Sequence, residues 1–297
     1  MPSGSAIFRA RSLPGPAGPC RWHELCCQRR VKGKSNAMNP PEPQARPVAP
    51  VAPNVWTTAS RARSLLLVES QTLVGGPTPL FQSLSAREQA VVLSYGQRRV
   101  VYRGKMLFVQ GAVHEGIYFI ETGRIRVFYT APSGREITLA YWNPGNFVGG
   151  PDVFGPATHL WSGAAAANAS VVHLPGKALK SLVTQIPSLA IGLIEGLSFK
   201  GKCYSALAQM LGTRSVTERL AHLLLHLADA YGMRSEEGIV IGSMLTHADI
   251  AHMVGATRQW VTISLKRLHE QGILTSAKSQ IVIKRLDALA ELRGSDA

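Results

Sequence analysis

THADIAHMVGATRQWVTISLKRLHEQGIL, residues 246–274, decides how the carboxy-terminal part of the chain folds. Thr246 is placed to cap a helix, because its hydroxyl can take an orphan backbone N–H while Asp249, at the third helical position, reaches back. Ile250, Ala251 and Val254 then share one face, and Gly255 ends the helix. Thr257 caps a second helix whose Val261, Leu265 and Leu268 point inward at i, i+4 and i+7. The small Ala251, the turn residue Gly255 and the apolar Val261 let two helices cross through a short turn, which is a helix-turn-helix.

On the second helix Arg258, Gln259, Thr262 and Lys266 fall on one exposed face, starting at the end that enters a DNA major groove first. Arg258 suits a bidentate bond to guanine and Gln259 an adenine edge. Lys266 and Arg267 suit phosphates. Downstream, residues 279–285 alternate as a strand that supplies the wing of a winged helix, with Lys284 and Arg285 near the DNA backbone. A solvated polar face on an ordinary helix pair carries similar residues; caps, turn and wing together favour DNA reading.

Working outward, residues 215–230 form a helix with Leu220, Leu223, Leu224 and Leu227 on one face. His222 and His226 sit one turn apart there, a metal-ligand spacing without an evident third ligand, so no metal site is assigned. After Pro187 a helical period carries Leu193, Leu197, Lys200, Tyr204, Leu207 and Leu211 in steps of four and three. This seam reads as a dimerising helix at a domain junction, the alternative being an amphipathic helix packed on its own domain. Further upstream, 100–102, 106–109, 117–120, 125–129, 137–141 and 171–174 are strand-like runs separated by glycine-containing turns, the texture of a sandwich or small barrel. Ser85 and Glu88 form a capping pair before them.

Length and charge set the outer limits. The 297 residues allow two domains and a tail. Residues 1–63, dense in Pro, Gly, Ser and Arg, read as a disordered basic extension in which Met38 offers an alternative start. The net charge of +14 splits as +8 for residues 1–63, +5 for 64–213 and +1 for 214–297, yet residues 246–285 alone carry +4. Positive charge therefore concentrates on the helix-turn-helix and wing, as a polyanionic partner requires. No apolar run is long enough for a membrane span and the amino terminus lacks an apolar signal core, so a cytoplasmic protein without membrane partners is expected. No nucleophile elbow, phosphate loop or zinc-hydrolase helix is present, which argues against an enzyme.

From about Leu80 to Ile283 the arrangement resembles the Crp/Fnr family. The likeness is carried by Phe108-Val109-Gln110-Gly111, Tyr118-Phe119-Ile120, Thr122-Gly123-Arg124-Ile125, 144–149, 216–221 and 250–268. Beyond the extension (1–63), the resemblance implies an α+β chain: a cyclic-nucleotide-binding-type β-roll or jelly roll (79–187), a long dimerisation helix (188–213) and a winged helix-turn-helix (214–297). It also implies a homodimer reading a pseudo-palindromic operator in double-stranded DNA, with RNA polymerase as a further partner if the protein activates transcription. By position Arg258 matches the family's base-reading arginine. Gln259 and Ile263 stand where cyclic-AMP receptors carry a glutamate and a second arginine, so a different operator is implied.

The effector half departs further. Gly150-Pro151-Asp152 replaces the ribose-binding glutamate of cyclic-AMP receptors, and Thr158-His159-Leu160-Trp161-Ser162 replaces their phosphate-binding Arg-Ser pair. Without an arginine a buried cyclic phosphate stays unpaired, which is costly, so cyclic AMP is not the expected effector. On the dimer helix Tyr204-Ser205 replaces Thr-Ser. An unknown small molecule held by Gly149, Gly150, Asp152, His159, Trp161, Ser162, Tyr204 and Ser205 is one reading; a vestigial pocket is the other. The family's second sensing chemistry is an iron-sulfur cluster. Cys20, Cys26, Cys27 and Cys203 supply four thiols, but the adjacent pair and the distant fourth cysteine argue against a cluster. Spacing likewise gives no support to a haem ligand among His114, His159 and His173.

Overall fold

A computed structural model describes residues 79–242, 245–277 and 280–294. The basic extension, with Cys20, Cys26, Cys27 and Met38, lies outside them, as do Lys278 and Ser279 of the wing. After the buried Leu80, Phe81 and Leu84, helix α1 (Ala86–Ser94) opens with the expected capping box. The Glu88 N–H donates to the Ser85 hydroxyl, and the Ser85 N–H donates to the Glu88 carboxylate at 2.7 Å.

A roll of antiparallel strands follows: β1 (Gln97–Val101), β2 (Met106–Phe108), β3 (Val113–His114), β4 (Gly116–Thr130), β5 (Glu136–Trp142), β6 (Phe147–Gly149), β7 (Ala157–Thr158) and β8 (Ser162–Pro175). The main sheet runs β1-β8-β4-β5, with β2 added to β8 and β6 to β4, while β3 and β7 pair separately. The two strands expected at 117–120 and 125–129 are one strand, β4, because register shifts between Ile120 and Ile125 absorb Thr122-Gly123 as irregularities rather than a turn. Gly123 takes a positive φ there, and a Cβ at this point would collide with the Asn168 carbonyl. Strand β8 begins well before the expected Val171. Its alanine-rich first half has weak strand propensity, but pairing with β2 and β4 overrides that preference.

Helix α2 (Gly176–Gln185) leads to α3 (Pro187–Thr213), which starts with Pro at its first turn, where the missing N–H costs nothing. The winged helix comprises α4 (Val216–Tyr231), β9 (Met233–Ser235), β10 (Gly238–Ile241), α5 (His247–Val254), α6 (Arg258–Glu270), β11 (Leu274–Ala277), β12 (Gln280–Ile283) and α7 (Leu286–Arg293). Its sheet order is β11-β12-β10-β9. The β9–β10 hairpin and α7 were not evident in the sequence. A core of Leu220, Leu223, Leu224, Leu227, Ile250, Val254, Val261, Leu265 and Leu268 holds the three helices, and Tyr141 of β5 packs into it. Each buried leucine contributes about 1.5–3 kcal/mol.

The seam expected on α3 is corrected by this packing. Leu193, Lys200 and Leu207 are buried within their own chain, and Leu197, Tyr204 and Leu211 pack against the same chain's cores. Leu193, Lys200 and Leu207, covered by their own fold, cannot face a second copy, while Leu197, Tyr204 and Leu211 are half-buried. The exposed row is instead Ile191, Ile194, Ser198, Gly201, Ser205 and Ala208, also spaced by threes and fours, with Ile191 55% and Ile194 63% exposed. Among the described residues, no helix is long and apolar enough to cross a membrane.

Candidate nucleic-acid interface and pocket

Local chemistry fixes the pose of α6. The Asp249 N–H donates to Thr246 Oγ1 at 3.1 Å and the Thr246 N–H donates to the Asp249 carboxylate at 2.8 Å, closing the expected cap on α5. Gly255 ends α5 in the left-handed conformation, φ +67°, which a side chain would strain. Thr257 caps α6 by accepting from the Trp260 N–H at 3.1 Å. The buried Arg219 of α4, not singled out from sequence, donates to the carbonyls of Val254 at 2.8 Å and Arg214 at 2.6 Å, tying the α3–α4 junction to the end of α5.

Val261, Leu265 and Leu268 are buried, while Arg258 and Gln259 in the first turn of α6 and Thr262 and Lys266 further along it are exposed. Arg267 and the capping Thr257 are exposed as well. Thr262 Oγ1 donates to the Arg258 carbonyl and lies 3.0 Å from His247 Nδ1, so this hydroxyl is engaged within the helix pair. Lys266 lies 3.7 Å from Glu270 with its side chain 77% exposed. Lys284, exposed just beyond β12, is held by its N–H to the Ile273 carbonyl at 2.9 Å.

The roll contacts this unit directly. Arg126 of β4 donates to the Glu136 carboxylate at 2.8 Å and lies 3.1 Å from His252 Nδ1 on α5. Arg135 donates to the Gly255 carbonyl. Burial, and then the neighbouring Arg126 charge, hold the His252 imidazole below its ordinary value.

Between the roll and α3 lies a cavity of about 360 Å³, lined by Val127, Trp142, Phe147, Val148, Gly149, Gly150, Pro151, Trp161, Leu197, Lys200, Gly201 and Tyr204. Of the expected pocket residues it brings together Gly149, Gly150, Trp161 and Tyr204. Trp161 is pinned by its indole N–H to the Gly149 carbonyl at 2.8 Å. The other four are corrected. Asp152 is exposed and its carbonyl meets His114 Nε2 at 2.9 Å. His159 stacks on Phe108 at 4.3 Å, and burial pushes its imidazole down to about 4. The Ser162 hydroxyl accepts from the Gln110 N–H, and Ser205 lies on the exposed row of α3. Polar chemistry near the motif suggested them, whereas apolar residues from separate strands form the walls.

Lys200, expected on the seam, is the charged residue of this lining. Its ammonium nitrogen makes no hydrogen bond and sits 4.2 Å from the Trp142 ring centre and 4.1 Å from that of Phe147. Burial pushes it down to about 7. Cys203, the only cysteine among the described residues, is buried one turn along α3, its thiol pushed up by burial to about 12.

A roll carrying a pocket, joined by a long helix to a winged helix with a polar outer face, defines a two-domain DNA-binding regulator. Residues 98–185 match the cyclic nucleotide-binding domain and residues 218–292 the Crp-like helix-turn-helix domain. The chain belongs to the Crp/Fnr family of transcriptional regulators. It is 26% identical over 215 residues to the cyclic AMP receptor protein of Thermus thermophilus, covering 72% of this chain and 96% of that one. It is 27% identical over 191 residues to the global nitrogen regulator of Synechococcus elongatus, covering 64% and 86%. The structure of the c-di-GMP-responsive global regulator CLP of Xanthomonas campestris shares the fold, with a TM-score of 0.61 at 21% identity, covering 67% of this chain and 99% of that one.

Proposed function

We propose that this transcription regulator acts as a homodimer on a pseudo-palindromic operator, and that a small molecule other than cyclic AMP, held in the roll, sets its DNA affinity. The observation that carries DNA reading is the exposure of Arg258, Gln259 and Thr262 in the amino-terminal half of α6, a helix anchored by the buried Val261, Leu265 and Leu268. Arg258 and Gln259 read base edges, Thr262 presents its methyl group, and Lys266, Arg267 and Lys284 meet phosphates. Two copies pair through Ile191, Ile194, Ser198, Gly201, Ser205 and Ala208 of α3, and the operator half-sites they read are expected about one DNA turn apart. Dimerisation is typical of the family. Among the described residues the lining of the cavity contains no arginine for a cyclic phosphate, which supports a different effector. The protein works in the cytoplasm and carries no catalytic activity of its own.

A gel shift of the full-length protein on pooled genomic fragments tests this reading. Binding that weakens steeply with salt and enriches particular fragments is the expected result. Sequence-indifferent binding, or none with or without added metabolites, contradicts it.

A further inference from the structure

We propose that the roll cavity takes a compact aromatic organic acid, bound as its monoanion, with the acid group on the Lys200 ammonium and the ring among Trp142, Phe147 and Trp161. This rests on the reading of the roll as the effector domain. Lys200 is 8% exposed, has no hydrogen-bond partner, and borders the cavity. A buried ammonium without an anion is costly. Among the described residues the cavity wall offers no carboxylate, so the missing partner is one that enters with the ligand. The two aromatic faces beside the ammonium stabilise the cation but donate and accept nothing.

The rest of the lining selects the body of the ligand. Its side chains are aromatic or aliphatic except for Lys200 and Tyr204, and the buried Trp142 indole N–H has no hydrogen-bond partner. The Gly149 carbonyl is already taken by Trp161. The sugar hydroxyls and base edges of a nucleotide outnumber these few polar groups, which disfavours a nucleotide. A lysine is also a point charge that suits one acidic group, where a cyclic phosphate favours the bidentate fork of arginine. At about 360 Å³ the cavity is at the small end of ligand pockets, roughly 300–1,000 Å³. Leu197, Lys200, Gly201 and Tyr204 all belong to α3, so an occupant bears directly on the helix whose outer row is the proposed dimer contact.

Ligand binding is also coupled to a proton. The titratable neighbours of Lys200 are Cys203 and Tyr204 of its own helix, both pushed up by burial and therefore neutral, and the facing strands β5 and β6 carry no titratable side chain against it. With its ammonium pushed down to about 7, an incoming anion draws a proton onto it above that pH.

The test uses full-length protein and matched pairs of probes: benzoate, phenylacetate and cyclohexanecarboxylate, each beside its neutral amide. Tryptophan quenching and calorimetry in two buffers of different ionisation enthalpy read affinity and proton uptake. At least one acid is expected to bind tenfold or more tighter than its neutral partner, taking up a proton at pH 8. Lys200→Met should abolish that preference and Lys200→Arg should keep it. Equal binding of acid and neutral partner, no acid bound across the panel, or an acid preference that survives in a folded Lys200→Met protein overturns the proposal. A gel shift on the same preparations separates the two failures: DNA binding without acid binding removes only the ligand class, whereas loss of sequence-selective DNA binding removes the regulator reading itself.

Discussion

On α6 the cations Arg258, Lys266 and Arg267 project into solvent, whereas in the roll Lys200 is sealed between two aromatic rings without a hydrogen bond. Both places await an anion, but the energetics differ. Solvated cations cost the fold almost nothing and gain their value only when phosphates and bases arrive, with a strong dependence on salt. A buried cation lowers the stability of the empty protein, and an occupant that neutralises it recovers that loss. The reading surface is thus built for an external polyanion and the cavity for a small internal one.

The largest expected effect sharpens this contrast. Lys200→Met should stabilise the empty protein by on the order of 2–4 kcal/mol near pH 7, because a buried ammonium is removed while the volume is kept. The sign follows from the native value of about 7 against 10.5 when unfolded. Between these values the unfolded chain binds more protons, so the stability of the unmodified protein rises with pH from about 7 towards 10.5. Urea unfolding at several pH values should show this rise, and show it lost in Lys200→Met.

On the solvated side, Arg258→Ala should cost roughly 1–3 kcal/mol of specific DNA binding and leave the melting temperature unchanged. Lys266→Ala should weaken binding to all sequences alike and reduce the salt slope by about 1. Fluorescence anisotropy on specific and random duplexes separates the two. Smaller again, Thr246→Ala should cost about 1 kcal/mol by removing the α5 cap, read by denaturation.

The smallest effect concerns the contact between the two regions. His252 is held below its ordinary value by burial and then by the Arg126 charge, so the docked form favours the neutral ring. Acidification through the ordinary histidine value of 6.5 should therefore loosen α5 from β4 and β5. Hydrogen exchange at α5 should rise as pH falls from 7.5 to 5.5, and His252→Gln should flatten that response.

What could be read in advance followed from how far each signal reaches along the chain. Thr246, Asp249, Gly255 and Thr257 declare their helix ends within four residues, and the structure places each in that role. The seam on α3 was misread because hydrophobicity at Leu193, Leu197 and Leu207 reports burial without saying against what, and here it is the chain's own cores. The small residues Ser198, Gly201, Ser205 and Ala208 carry little signal of their own. The pocket was half legible. Gly149, Gly150 and Trp161 lie near a motif, but Val127, Trp142 and Leu197 come together only when β4, β5 and α3 close around one space. Strand β8 was missed over its alanine-rich half for the same reason, since its pairing partners lie far away in sequence.

The most direct measurement is selection of duplexes from a random pool by the full-length protein, followed by Arg258→Ala on the selected sequence. The account predicts an inverted repeat with half-sites about one turn apart, and loss of preference at one symmetric base pair in each half when Arg258 is removed. A selected site without two-fold symmetry, or one read equally well after the substitution, contradicts it.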